Sequence, residues 1–204
     1  MKINLVDVKA QNSSIKKELD AAISDVIESS DFIDGPFVEA FEKEFAKCHE
    51  SRFCAAVNSG TAALHVALWA IGVKAGDEVI VPGNTFIATA EAVSLTGATP
   101  VFVDCEIEYF GLDPSKIEPA ITVKTKAVIA VHLYGQPAQL DCIKEITDRH
   151  GLFLVEDCAQ AQFAKYSGRY VGTYGICGCF SFYPGKNLGA FGEGGAVITN
   201  DESL

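Results

Sequence analysis

The residue of this chain with the most to offer chemically is a lysine in a glycine-rich loop. Ser181-Phe182-Tyr183-Pro184-Gly185-Lys186-Asn187-Leu188 leads into GAFGEGG. A lysine held in a desolvated site loses its proton more readily and becomes a nucleophile able to form a Schiff base with an aldehyde. The same residue could equally be a solvated loop lysine with its stem laid on the surface. The segment is not a Walker loop, because Phe180 stands where the first glycine belongs and Asn187 follows the lysine in place of Ser or Thr. Nor do the glycines from Gly185 onward give the dinucleotide spacing GxGxxG after a strand.

Three further groupings accompany it. Asn58-Ser59-Gly60-Thr61 precedes the apolar run AALHVALWA; a turn opening a helix makes an anion site from free amides, a hydroxyl and the helix dipole, or is simply a helix cap. Glu156-Asp157-Cys158-Ala159-Gln160 follows FLV. Two acids closing a buried strand are costly unless they meet a partner, and the alternative is a cap or surface loop. Asn84-Thr85-Phe86 follows EVIVPG, where the aromatic side chain either stacks on a planar ligand or joins the core. His132, in VHLYGQ, reads as a satisfied structural group. An amine, an anion cradle, a buried acid and an aromatic plate together are what pyridoxal phosphate requires, provided the strand order brings them to one edge.

The elements that must do so are legible as short apolar runs separated by helical stretches. The runs are Cys54–Val57, Val79–Val81, Pro100–Val103, Ala127–Val131, Phe153–Val155, Cys179–Tyr183 and Ala196–Thr199. Several are apolar at every position, as in AVIAV, which suits a parallel sheet covered on both faces. Helical patterns over Ala62–Ile71, Ala88–Leu95, Ser115–Ala120 and Leu140–His150 fall between them, and this alternation predicts a doubly wound α/β sheet. Each chemical grouping then sits at the carboxyl end of a strand, where open α/β sheets bind ligands. Pro184 to Gly195 is too short and glycine-rich for a helical crossover, so the last strand is predicted to run antiparallel to its neighbour. Two amphipathic helices open the chain. Ile15, Leu19, Ile23, Val26 and Ile27 follow the cap candidates Ser13 and Ser14, and Phe37, Phe41, Phe45 and Cys48 follow Pro36.

Composition narrows the function classes. The 204 residues are 49% hydrophobic and 21% charged, and 16 Lys and Arg against 27 Asp and Glu leave a net charge of −11. A phosphate backbone would be repelled, so nucleic acid is not an expected partner. No stretch of about 18 apolar residues suits a membrane span, and the start lacks a basic segment followed by an apolar core. A cytoplasmic protein with no membrane partner is expected. The 7 cysteines form no CxxC pair, and Cys177 and Cys179 read as buried thiols, with no metal site expected.

NSGTAALHVAL, GDEVIVPGNTFIATA, GATPVFVD, VHLYGQPA, VEDCAQA and SFYPGKNLGAFGEGGAVITND occur in this order between Phe32 and Asp201. The set resembles the DegT/DnrJ/EryC1/StrS family of pyridoxal-phosphate-dependent sugar aminotransferases, of the aspartate aminotransferase fold. The resemblance implies a three-layer α/β fold whose mostly parallel seven-stranded sheet has one antiparallel strand. It implies pyridoxal 5'-phosphate as cofactor, with Lys186 at the position of the family's Schiff-base lysine. Asp157 matches the acid that keeps the pyridine nitrogen protonated, and Gln160 the residue beside the ring's phenolic oxygen. Ser181, Gly60 and Thr61 match the phosphate grip, and Phe86 the ring-stacking aromatic. The reaction implied is transfer of an amino group from an amino acid, glutamate, to a nucleotide-linked keto sugar, here a dTDP-linked keto-6-deoxyhexose, with freed Lys186 shuttling the proton.

The resemblance also implies a homodimer. It divides the chain into an N-terminal helical segment, residues 1–30, and a cofactor-binding large domain, 31–204, and implies that a smaller C-terminal domain is missing. Asn200 to Leu204 likewise read as a helix start that is cut off. The chain by itself is expected to keep the fold with activity reduced or absent. Two alternatives stand beside this reading. A sugar dehydratase of the same family would carry His in place of Lys186, and a non-catalytic remnant would form no adduct with the cofactor.

Overall fold

All seven apolar runs become strands of one sheet in a computed structural model, which describes residues 6–204. They are β1 (Phe53–Val57), β2 (Glu78–Pro82), β3 (Thr99–Val103), β4 (Thr125–Val131), β5 (Phe153–Asp157), β8 (Cys177–Ser181) and β9 (Gly195–Thr199); β6 (Lys165–Tyr166) and β7 (Arg169–Tyr170) make a separate small hairpin. The sheet order is β1-β9-β8-β5-β4-β2-β3. β9 runs antiparallel to both β1 and β8, and every other pairing is parallel. The short return between β8 and β9 contains no helix, so the chain re-enters the sheet from the edge it left. This is the expected seven-stranded sheet with one antiparallel strand.

Helices complete three layers, and the pleat decides what faces each. Val79, Val81, Ala127, Ile129, Val155, Cys177 and Cys179 pack with Leu64 and Leu68 of α4 (Gly60–Ala70) and Ala92 and Val93 of α5 (Ile87–Leu95). The intervening Ile80, Val128, Ala130, Leu154, Phe180 and Ile198 turn to the opposite core. There they meet Phe45 of α3 (Pro36–Cys48), Ile117 of α6 (Pro114–Ala120), and Leu140 and Ile143 of α7 (Leu140–His150). Successive strand side chains point to opposite faces, so a strand apolar at every position is stable only between two helical layers. Cys177 and Cys179 are two of these buried apolar positions, and no cysteine among the described residues is disulfide-bonded. Phe41 and Phe45 of α3 pack edge-on against Phe182 and Phe180, at 5.3 and 5.1 Å between centroids, which ties α3 to the strand that leads into the lysine loop.

Three details depart from the sequence reading. The expected first helix is α2 (Lys16–Ser29), and a further helix that the sequence reading lacked, α1 (Val8–Ser14), capped by Asp7, precedes it. Ser13 and Ser14 therefore end α1 and do not cap α2, whose N-cap is Ile15 with no side-chain bond. Residues 1–5 of the segment assigned to 1–30 lie outside the described residues. The sixth run is shifted, because the β8–β9 ladder ends at Ser181↔Gly195 and leaves Tyr183 beyond the strand. The β6–β7 hairpin was unanticipated, although Ser167-Gly168 is a turn dipeptide whose residues both have positive φ, 47° and 84°. Asn200 to Leu204 form a turn in which Asp201 accepts from Ser203 N at 2.8 Å, the bond an Asp N-cap makes to a first-turn amide. No helix among the described residues is long and apolar enough to cross a membrane.

Candidate active site

At the carboxyl ends of the parallel strands lies a cavity of about 530 Å³, within the range of small-molecule and cofactor sites. Its wall includes Gly60, Thr61, Phe86, Asp157, Gln160, Ser181 and Lys186. The structure thus brings together every site residue nominated from the sequence. The sheet order does this by setting β8 beside β5 and β5 beside β4, while α4 and α5 cover the same face.

The start of α4 forms the anion corner. Ser59 is its N-cap, in extended conformation, and its hydroxyl accepts from Ala62 N at 3.1 Å. The first-turn amides have no acceptor within the helix, and the helix dipole adds positive potential there. Two close approaches bring this helix end against the sheet. A Cβ on Gly60 would lie 2.6 Å from Ser181 Cβ, and one on Gly195 would lie 2.4 Å from the Ser59 carbonyl oxygen. Glycine at both positions is what lets the Ser181 hydroxyl share a corner with the helix amides.

The pleat sends the two neighbouring acids opposite ways. Asp157 pairs with Val131 and Cys179 across the sheet and, on the face shared with α4 and α5, reaches the cavity. It is only 6% exposed. Its Oδ1 accepts from Ala159 N at 3.1 Å and its Oδ2 from the Thr89 hydroxyl at 2.9 Å. Burial raises its pKa, against the lowering effect of those two bonds and of His132 and Lys186 nearby. Such a carboxylate gains most from a cationic hydrogen-bond donor placed in the cavity.

Glu156 faces the other core and is fully engaged. Its Oε1 accepts from Tyr174 N and Gly175 N, and its Oε2 from Gly172 N, all at 2.7 Å. His132 Nε2 lies 3.1 Å from the same Oε2, while His132 Nδ1 accepts from Ala138 N at 3.1 Å. Those partners place the imidazole proton on Nε2. His132 is thus tied into the fold as a structural group, although its ring also borders the cavity. His132, Glu156 and Cys158 offer ligand-type atoms within 4.8 Å of one another. The lone pairs of Glu156 and His132 already serve protein donors, however, and burial pushes the Cys158 thiol well up.

The remaining wall is built from loops. Lys186 sits in a tight turn in which its own N–H donates to the Tyr183 carbonyl at 2.8 Å and Ala190 N to the Phe182 carbonyl at 2.7 Å. The loop is drawn in so far that a Cβ on Gly189 would lie 2.5 Å from the Pro184 oxygen. Gln160 Oε1 accepts from Tyr134 N at 2.8 Å, which leaves its Nε2 as the donor on that side chain. Tyr134 is held at φ 57°, ψ 20°, an uncommon backbone conformation for a bulky residue and one that clusters at ligand sites. Phe86 caps α5 and is 70% exposed, so of its two sequence readings the core position is eliminated. Thr85 and Tyr183, which stand inside two of the sequence groupings without a role of their own, also line the cavity, as do Leu133 and Glu193, which sequence reasoning did not nominate. Glu193 lies between glycines in the lysine loop, the one local signal that could have found it.

The sequence model of the DegT/DnrJ/EryC1/StrS aminotransferase family matches residues 13–204. A dTDP-3-amino-3,4,6-trideoxy-alpha-D-glucose transaminase from Streptomyces venezuelae is 50% identical over 203 residues, which is 100% of this chain and 54% of that protein. The crystal structure of S. venezuelae DesV in complex with a ketimine intermediate has a TM-score of 0.96 and 50% identity, covering 99% of this chain and 54% of that one. NtdA from Bacillus subtilis with bound cofactor PMP has a TM-score of 0.90 and 36% identity, over 99% of this chain and 46% of that one. The chain therefore spans about half the length of the relatives it matches.

Proposed function

Since the chain belongs to the DegT/DnrJ/EryC1/StrS aminotransferase family, we propose that its cavity holds pyridoxal 5'-phosphate and serves amino transfer from an amino acid, glutamate, to a nucleotide-linked keto sugar. The observation that carries the reading is the meeting of Lys186, Asp157 and the α4 anion corner in one cavity. The residues fit that cofactor on structural grounds. The Gly60–Ser181 approach leaves a cradle that any Cβ would fill, and Asp157 is a buried acid facing open space. For the acceptor, a dTDP-linked keto-6-deoxyhexose is the reading favoured by the S. venezuelae relative, whose name specifies a dTDP-linked 3-amino-3,4,6-trideoxyglucose. Residues 31–204 are assigned to the cofactor-binding unit, in a cytoplasmic enzyme.

Bound pyridoxal phosphate would supply an aldehyde that takes up an amino group and a ring that withdraws electrons from the adjacent carbon. The chain's own residues do the rest. The amides of Gly60 and Thr61, with the Ser181 hydroxyl, hold the phosphate at the positive end of α4. Phe86 would cover the cofactor ring, and Gln160 Nε2, left free by the Tyr134 bond, would be the donor for its phenolic oxygen. Asp157 keeps a proton on the ring nitrogen, a charge-assisted bond that offsets its own burial. Lys186 Nζ, on the cavity wall, would be the amine that holds the cofactor's aldehyde and the base that moves a proton between donor-side and sugar-side carbons.

A homodimer belongs to the same proposal. The outer faces of α4 and α5 expose Val66, Trp69, Ile87 and Leu95, with Trp69 72% exposed, an apolar surface of the kind that marks an interface. A second copy is the occupant argued for, and light scattering that finds only monomers across the micromolar range rejects it. For the cofactor, the test is borohydride reduction of the protein with excess pyridoxal phosphate, followed by mass spectrometry. An adduct on Lys186, absent from Lys186→Ala, supports the reading; no adduct at Lys186 overturns it. Turnover is tested with glutamate against a panel of nucleotide keto sugars.

A further inference from the structure

A directed chain of hydroxyls leads from the cavity wall to the buried acid. Thr89 Oγ1 donates to Asp157 Oδ2 at 2.9 Å, and Thr85 Oγ1 lies 2.8 Å from Thr89 Oγ1. A threonine hydroxyl has one hydrogen. Asp157 as a carboxylate can only accept, so Thr89 must use its hydrogen there, and Thr85 must therefore donate to Thr89. Thr89 is fully buried inside α5, while Thr85 lies on the cavity wall. We propose that Thr89, polarised by Thr85, is a positioning residue that holds the Asp157 carboxylate ionised and oriented toward the cavity. The proposal rests on the cofactor reading above for its purpose, and on the hydrogen-bond geometry alone for its existence.

The physical reason is the conflict at Asp157. Burial favours the neutral acid, yet a neutral acid cannot keep a proton on a ring nitrogen. Two bonds oppose burial. Ala159 N belongs to the backbone and cannot be removed by a side-chain change, whereas the Thr89 hydroxyl is the side-chain contribution. Each hydroxyl that donates onward becomes a better donor when it accepts in turn, which gives Thr85 its part. The titratable groups around Asp157 are Lys186, whose positive charge would favour the carboxylate, His132, whose ring carries its one proton on Nε2 because Nδ1 accepts from Ala138 N, and Glu156, Cys158 and Cys179. Burial pushes the Cys158 thiol up, a hydrogen bond with Cys177 and then burial do the same for Cys179, and Glu156 is directed to the opposite face. Thr89 is therefore the neutral side chain that sets both the charge and the direction of Asp157.

The test compares Thr89→Val, which keeps the branched shape and loses the donor, with Thr89→Ser, which keeps the donor. Carboxyl carbon NMR of the cofactor-free protein follows the Asp157 titration directly, and dialysis measures pyridoxal phosphate retention. Thr89→Val should move the Asp157 titration upward and weaken cofactor retention about tenfold. Thr89→Ser should restore both, and Thr85→Val should give a smaller shift in the same direction. An unmoved titration in a folded Thr89→Val protein, or no rescue by Thr89→Ser, overturns the proposal. Should Thr89→Val fail to fold, Thr85→Val decides, and an unchanged Asp157 titration there overturns the relay. Because the titration needs no cofactor, an absent Lys186 adduct would remove the cofactor reading while leaving the relay separately judged.

Discussion

Two neighbouring acids of β5 should respond in opposite ways to the same chemical change. Glu156→Gln replaces one oxygen by an NH2 group at constant shape. The carboxylate now accepts from three backbone amides and from His132 Nε2. Whichever way the new amide is turned, its NH2 faces two donors: Gly172 N and His132, or Tyr174 N and Gly175 N. His132 cannot relieve the first pair by shifting its proton, because its Nδ1 is already committed to Ala138 N. Two buried donor–donor conflicts at about 1–3 kcal/mol each give a loss of about 2–6 kcal/mol. For a chain of this size that is a fall in Tm of roughly 5–20 °C. Asp157→Asn differs, because the Thr89 hydroxyl can rotate to accept from the new amide, Ala159 N keeps an oxygen partner, and a charge with unfavourable burial is removed. Its stability should stay within about 1 kcal/mol of the parent while cofactor retention is lost. Urea unfolding and calorimetry of both variants provide the measurement. If Glu156→Gln proves as stable as the parent, the argument that this acid is a structural latch and its neighbour a functional group is wrong.

Other consequences are open to equally direct checks. Gly60→Ala places a methyl 2.6 Å from Ser181 Cβ, so overpacking should cost about 1–3 kcal/mol; calorimetry should show it, with weakened pyridoxal phosphate binding by fluorescence titration, and unchanged binding would remove the anion corner from the site. His49 is fully buried among Phe45, Phe163 and Phe180, and burial lowers its pKa below 6.5. The unfolded chain then takes up a proton that the folded one refuses, so its contribution is fully present above pH 6.5 and declines as pH falls toward the depressed folded value; urea midpoints from pH 7.5 to about 5 should show the decline, and His49→Gln should flatten it. Burial, reinforced by Glu42, pushes the Cys54 thiol up to about 12, so iodoacetamide at pH 8 should label exposed Cys48 and Cys142 first. Early labelling of Cys54 in the folded protein would contradict that environment.

Much of the architecture was legible before any coordinates. Each strand of the seven-stranded sheet overlaps a short apolar run, and each crossover helix falls in the longer stretch between two runs, because run length and turn residues are local signals. Even the antiparallel direction of β9 followed from the length and glycine content of one loop. Local signals misled at the N-terminus, where Ser13 and Ser14 have the chemistry of caps but end a helix instead. Either assignment satisfies the same short-range rule, and no buried side chain favours one over the other, since neither α1 nor α2 contains a buried residue.

The site separates the two kinds of information more sharply. Lysine in a glycine-rich loop, a Ser-Gly-Thr helix start and paired acids after a strand are matters of residue type and spacing, so the sequence alone identified the chemistry available. Residue type and spacing did not determine which acid faces the cavity, and only the family resemblance singled out Asp157; the pleat fixes that the two diverge, and the neighbouring strands decide which side is which. Nor could the sequence show that Phe86 is exposed or that Thr89, 68 residues from Asp157, supplies its hydrogen bond. Burial and contact across such separations arise from strand order and layer packing, which are cooperative properties of the whole chain and leave no periodic trace in any one segment.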